Sequence, residues 1–280
     1  MKNEITREIR KPAVAGSFYP REEENLKKTL EELLSVDVSP VHDARGLVVP
    51  HAGYMFSGSV AGTAYASVSK MSPEIVVMIG PSHREYFDGI CIYNGKAYET
   101  PLGEVEVEAS LREKLIQAGE PIWAGLEGHR SNGDGEHCLE VQLPFLQTIF
   151  DDFKILPIIM GDQRWDYCEL LGDLLAQALQ GSNALIIASS DLSHYHSYEV
   201  AQSIDAQFIL LLEKSNPREL AIALERKEVE ACGGGPVVAT LIASKKLGAP
   251  RVQTLLYRNS GDVWVDKTRV VGYLAALFVP

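Results

Sequence analysis

The chain has 280 residues with an ordinary globular composition, 46% hydrophobic and 23% charged, which is enough apolar material for a sizeable core. Its formal net charge of −12, without a dense Lys/Arg cluster, argues against grip on a nucleic-acid backbone.

In chain order, Glu22 to Leu34 reads as an amphipathic helix with Leu26, Leu30, Leu33 and Leu34 on one stripe. Gly46 to Val49 is an apolar strand that runs into Pro50-His51. Ser57 to Ser69, rich in Gly, Ala and Ser, predicts a helix packed tightly on a sheet. Ile75 to Ile79 is a strand buried on both faces, followed by Gly80-Pro81-Ser82-His83. Phe87 to Val107 suggests short antiparallel strands or a hairpin, and Leu111 to Ala118 a helix. His137 to Phe150 fits a helix that Pro144 either kinks or starts late. Then come a strand (Phe153 to Met160), a helix (Trp165 to Leu179) and a central strand (Ala184 to Ala188) that leads into Ser189-Ser190-Asp191-Leu192-Ser193-His194. Helices follow over about Tyr198 to Glu213 and Pro217 to Leu224. Cys232-Gly233-Gly234-Gly235-Pro236 opens another through Lys246, and strands Val252 to Tyr257 and Val270 to Val279 close the chain. This alternation predicts one domain over residues 1–280, a three-layer α/β/α fold around a mixed, largely parallel sheet.

The polar N-terminal stretch lacks the apolar segment of a signal peptide. The longest apolar run, Val270 to Val279, falls short of the ~20 residues of a membrane span. Four Cys with no CxxC pair fit a reducing compartment. Together these predict a cytoplasmic protein that does not engage membrane.

Ligands of open α/β sheets bind beyond the carboxyl ends of the strands. His51 and His83 are both delivered there, and imidazole pairs at such an edge suit a metal. Cys232, at a glycine-rich helix start, is a third candidate, because exposed amides favour a thiolate; a small buried residue in a tight turn is the plainer reading. Asp191 and His194, three apart, can form a carboxylate-oriented general base, or equally a helix cap beside a surface histidine. His137 and Glu140 share one helical face and can touch substrate or support a metal ligand, although Glu140 can instead balance a helix dipole. His42 and His129 lie in polar, loop-like stretches and carry no assignment; Cys91 and Cys168 read as structural.

Pro50-His51-Ala52-Gly53-Tyr54, Gly80 to His83, Glu136-His137-Cys138-Leu139-Glu140, Ser189 to His194 and Cys232 to Pro236, with the opening Arg10 to Pro20, together resemble the Memo family across nearly the whole chain. The resemblance implies a fold similar to that of class III extradiol dioxygenases, non-haem iron enzymes that open catechol rings. It implies His51 and His83 as metal ligands, Cys232 where those enzymes place a carboxylate, and His194 with Asp191 as the acid/base pair, with Tyr54, His137 and Glu140 near substrate. The expected cofactor is Fe(II) or Cu, with Zn as a further candidate, since a thiolate softens the donor set. Expected partners are a small-molecule or peptide substrate and, by the company such proteins keep in bacteria and archaea, a radical-SAM protein of a shared pathway. The leading expectation is therefore a metal-dependent redox enzyme of unknown substrate. Two alternatives remain: a metal-free hydrolase or transferase with Cys232 as nucleophile, and a non-enzymatic peptide-binding protein using the same pocket.

Overall fold

A computed structural model describes residues 3–131 and 135–280. Twelve strands are present among them: β1 (Ile9–Arg10), β2 (Gly46–Val49), β3 (Ile75–Pro81), β4 (Ile90–Tyr93), β5 (Ala97–Thr100), β6 (Gly103–Glu106), β7 (Ile122–Gly125), β8 (Lys154–Met160), β9 (Ala184–Ser189), β10 (His194–His196), β11 (Arg251–Asn259) and β12 (Val270–Val279). The α-helices are α1 (Glu23–Leu34), α2 (Tyr54–Val68), α3 (Ala109–Ile116), α4 (Leu143–Ile149), α5 (Trp165–Ala178), α6 (Tyr198–Glu213), α7 (Pro217–Glu225) and α8 (Gly234–Lys246).

Nine strands form one sheet, in the order β10-β12-β2-β9-β3-β8-β4-β7, with β11 also on β12. The four strands β2, β9, β3 and β8 are mutually parallel, as the continuous apolar runs predict. Both flanks are antiparallel, through β12 on β2 and β4 on β8, so the sheet is mixed with a parallel centre. A smaller sheet, β1-β5-β6, stands apart; it accounts for the hairpin predicted within Phe87 to Val107, whereas β4 of the same stretch joins the main sheet.

Period-two side chains divide the core into two layers. Leu47, Val49, Val76, Met78, Leu185 and Ile187 point to the side covered by α1, α2 and α4. Val48, Val77, Ile79, Leu156, Ile186 and Ala188 point to the side covered by α3, α5, α7 and α8. That is the three-layer α/β/α arrangement.

Two element boundaries bear on the site. The helix after His51 starts at Tyr54, not Ser57, with the Tyr54 amide donating to the Phe18 carbonyl (2.8 Å). The helix expected from His137 begins only at Leu143, after one 3₁₀ turn over Glu140–Gln142. Pro144 sits in its first turn, where the missing N–H has no helical acceptor to lose. His137 and Glu140 therefore do not share a helical face.

Candidate metal centre

In the sheet β9 lies between β2 and β3, with Val49 beside Ser189 and Ile79 beside Ala188. The three strands end level, so the turns after β2 and β3 bring His51 and His83 together across the end of β9. Their ring centroids are 5.0 Å apart. Cys232, just before α8, comes in from the far part of the chain, and its Sγ stands 3.2 Å from His51 Nε2. One ligand atom from each of His51, His83 and Cys232 lies within 4.8 Å of the others.

The surroundings fix which ring nitrogen faces inward. Ser189 Oγ donates to the Cys138 carbonyl (2.6 Å) and so has only lone pairs left. Gln142 Nε2 donates to it (2.9 Å), and the contact from His51 Nδ1 (2.9 Å) must then also be a donation. Gln142 is itself oriented, its Oε1 accepting from Tyr65 and its Nε2 also donating to Pro50 O. His51 thus carries its proton on Nδ1 and presents a bare Nε2. On His83, Nδ1 faces Glu136 Oε1 (3.0 Å), which can only accept, so this imidazole too turns Nε2 outward.

Glu136 is the part of the site that the sequence reading overlooked. Its oxygens also accept from the amides of His83 (2.6 Å), His137 (2.8 Å) and Cys138 (3.1 Å). Burial alone would raise its carboxyl, but the hydrogen bonds from the ring and the amide of His83 hold it well below the usual range. Gly80 makes this possible, because a Cβ there would lie 2.5 Å from Cys138 Sγ. His137 stacks on His83 (centroids 4.9 Å), and its Nδ1 is buried without a hydrogen bond.

Burial favours the neutral form of His51, His137 and His194. Burial, then the fields of His83 and His137, push His51 well down, and burial brings His137 to about 4. His194 is lowered as well, chiefly by burial. Neutral imidazole is the ligating form.

Asp191 departs from expectation. It does not reach toward His194: Oδ1 accepts from the His51 amide (2.8 Å), and Oδ2 lies 3.9 Å from His51 Nε2. The turn after β9 folds it back between β2 and Cys232, whose Sγ accepts from the Asp191 amide (3.2 Å). His194 is held instead by its own turn, with Nδ1 donating to Leu192 O (2.8 Å). Burial pushes the Asp191 carboxyl up to about 7.

Cys232 departs too. Its thiol is pushed up, not down, by burial and by the field of Asp191. The amides at the start of α8 are engaged elsewhere, that of the capping Gly233 on Ser190 Oγ (2.9 Å) and that of Gly235 on Gln163 Oε1 (2.7 Å). A divalent cation among these groups would reverse the logic and favour thiolate and carboxylate.

Glu140 and Tyr54 belong to the scaffold. Glu140 accepts from Arg10 (2.7 Å), the amides of Ala13 and Val14, and Tyr19 Oη (2.8 Å), so it ties down the N-terminal segment. Tyr54 Oη donates to Val141 O (2.8 Å) beneath Phe145. His129, unassigned from sequence, is buried between Tyr98 Oη (2.6 Å) and the Cys91 carbonyl (3.0 Å). A cleft of about 870 Å³ reaches the cluster from the Cys232 and His194 side, passing Arg164, Trp165, Leu192 and Arg218. No helix among the described residues is long and apolar enough to cross a membrane.

Fold and site define an α/β protein with a candidate metal cluster of two imidazoles and a thiol at the carboxyl edge of its parallel strands. Residues 10–277 match the family described as Memo-like protein, and the chain belongs to the Memo family. It is 41% identical over 273 residues to a MEMO1 family protein of Methanosarcina mazei, covering 96% of this chain and 99% of that one. A MEMO1 family protein of Aquifex aeolicus is 38% identical over 275 residues, covering 97% and 99%. An uncharacterized protein of Escherichia coli K12 (JW3007) shares the fold at a TM-score of 0.60, with 13% identity over 84% of this chain and 99% of its own.

Proposed function

We propose that this protein is a metal-dependent redox enzyme whose ion is held by His51 Nε2, His83 Nε2 and Cys232 Sγ. The observation that carries the reading is the polarity of the cluster. Each imidazole has one nitrogen tied to a fixed acceptor, Ser189 or Glu136, which leaves the other bare, and one ligand atom of each lies within 4.8 Å of the Cys232 sulfur. Such a donor set fits iron or copper, and zinc by the same chemistry. When bound, iron or copper would supply Lewis acidity and one-electron chemistry, and zinc Lewis acidity alone.

The remaining residues have separable tasks. His194, with its proton on Nδ1, keeps Nε2 as an acceptor beside the cleft that it lines, suited to take a proton from a substrate hydroxyl or thiol. Asp191 holds the amide that follows Pro50 and so fixes the approach of His51. The cleft has room for a small molecule or one side chain of a peptide. The metal-free nucleophile reading loses support, because a raised thiol is the opposite of an activated one.

The test is elemental analysis of protein purified without oxygen or chelator, comparing wild type with His83→Ala and Cys232→Ser. Near-stoichiometric iron or copper, lost in both variants, is the expected result. Wild type that is metal-free and also refuses added metal would sink the proposal.

A further inference from the structure

A second opening lies at the other end of the sheet. It is a groove of about 680 Å³ between the start of β8, the start of α3 and the turn into β5. Lys154 opens β8 opposite Ile75, whereas Met160 closes it opposite Pro81, beside His83. Six strand steps separate the two ends, roughly 20 Å.

Four cations line this groove, Arg7, Lys96, Arg112 and Lys154, against two carboxylates, Glu106 and Glu108. That local surplus of two positive charges stands in a chain of net −12. The carboxylates pair with the two lysines only loosely and leave Arg7 and Arg112 as the surplus. Lys96–Glu106 and Lys154–Glu108 are 3.6 and 3.8 Å apart, beyond hydrogen-bond contact, and Glu108 is also occupied capping α3 through the Ser110 amide (3.2 Å).

Arg112 is the unusual member. It is only 3% exposed, and no carboxylate among the described residues makes an ion pair with it. Its Nη1 donates to the carbonyls of Tyr93 (3.1 Å) and Gly95 (2.8 Å), which hold the guanidinium in place, while its Nε is buried with no partner. Burial lowers its pKa from the usual value, and Glu113, next along α3, offsets only part of that. An arginine stays charged regardless, so a buried guanidinium without a counter-ion leaves a polar demand that the protein itself does not meet.

We propose that this groove binds a phosphate group, free or carried by a small organic molecule, on Arg7, Lys96, Arg112 and Lys154. A phosphate carries about −1.5 to −2 charges near neutral pH and so matches a surplus of two, where a single carboxylate would leave half of it. Arginine's planar fork suits its oxygens, and exposed Lys96, Lys154 and Arg7 can close over it from the rim. The groove is roomier than one phosphate needs and admits an organic moiety beside it. Its distance from His51 and His83 makes it a site separate from the metal centre.

The experiment is an NMR titration that follows the Arg112 Nε–H signal in the full-length protein, with inorganic phosphate in one arm and adenosine monophosphate in the other. A saturable shift in either arm is expected; tighter binding of the nucleotide assigns the extra room to the organic part, and equal binding assigns recognition to phosphate alone. Lys154→Ala and Lys96→Ala, both surface changes, should each raise the midpoint about tenfold, as for one lost charge-assisted contact. Lys27→Ala, an equal charge change on α1, and Arg218→Ala in the metal-side cleft should leave it unchanged. The site is ruled out by a signal that stays fixed in both arms into the millimolar range, or by midpoints that move as much in Lys27→Ala or Arg218→Ala.

Discussion

Glu136 meets His83 twice, one oxygen taking the backbone amide at 2.6 Å and the other facing ring Nδ1 at 3.0 Å. Backbone and ring are thereby set by the same carboxylate, so neither the position of His83 nor its tautomer is free to vary. One carboxylate, itself within reach of His83 and His137 as a further candidate ligand group, decides how His83 is presented.

Glu136→Gln should weaken metal binding about 10- to 100-fold while the protein stays folded, the usual effect of losing a partner behind a ligand. The amide nitrogen would meet a backbone N–H where a carboxylate oxygen now accepts. Competition against a chelator of known affinity measures this, and unchanged affinity would refute the role.

Ser189→Ala should destabilise the protein by about 1–3 kcal/mol, because the Cys138 carbonyl, Gln142 Nε2 and His51 Nδ1 lose their common partner. In metal-free wild type, long-range ¹H–¹⁵N spectra should show His51 protonated on Nδ1. Protonation on Nε2 would overturn the deduced orientation of the site.

Glu140→Ala should cost about 3–5 kcal/mol, since it strands Arg10 buried and unpaired. Metal affinity of the folded fraction should be unchanged, because Glu140 holds the N-terminal segment. Denaturant unfolding beside metal titration separates the two; a selective loss of metal with normal stability would return Glu140 to the site.

His129 is neutral and buried, with its pKa lowered to about 3 chiefly by burial. Between there and the unfolded value near 6.5, the unfolded chain binds a proton that the native state refuses, so stability rises with pH across this window and is flat above it. His129→Gln should remove up to ~1.4 kcal/mol per pH unit from that acid-side slope. Identical slopes in variant and wild type would show that His129 protonates in place.

In metal-free protein, Cys232 should react with iodoacetamide at pH 8 more slowly than an unfolded-chain cysteine, given a thiol raised by burial and by Asp191. Labelling faster than that reference would revive the nucleophile reading.

The central strands were legible because each is a continuous apolar run, and His51 and His83 because each directly follows one. Their adjacency was not, since it depends on β9 inserting between β2 and β3, an order that local pattern does not encode. β7, four residues without alternation, and β10, the polar His194–His196, carry no strand signal and are held by neighbours. The three-residue spacing of Asp191 and His194 suggested a pair, but the turn after β9 sends Asp191 back toward β2. Glu136, Ser189 and Gln142 were missed because each serves groups distant in sequence; a glutamate before two further site residues, and a serine pair closing an apolar strand, were the signals available.

His51 and Cys232 face each other across 181 positions of chain. No short peptide of this protein therefore holds the ligand set, unlike a zinc finger whose ligands lie within one loop. The centre comes into being only after a loop of that length has closed, and an ion bound there would act as a clasp between the turn after β2 and the segment that leads into α8. Its contribution to stability would be felt by the whole fold rather than by one segment, and metal loading would report whether these long-range contacts have formed.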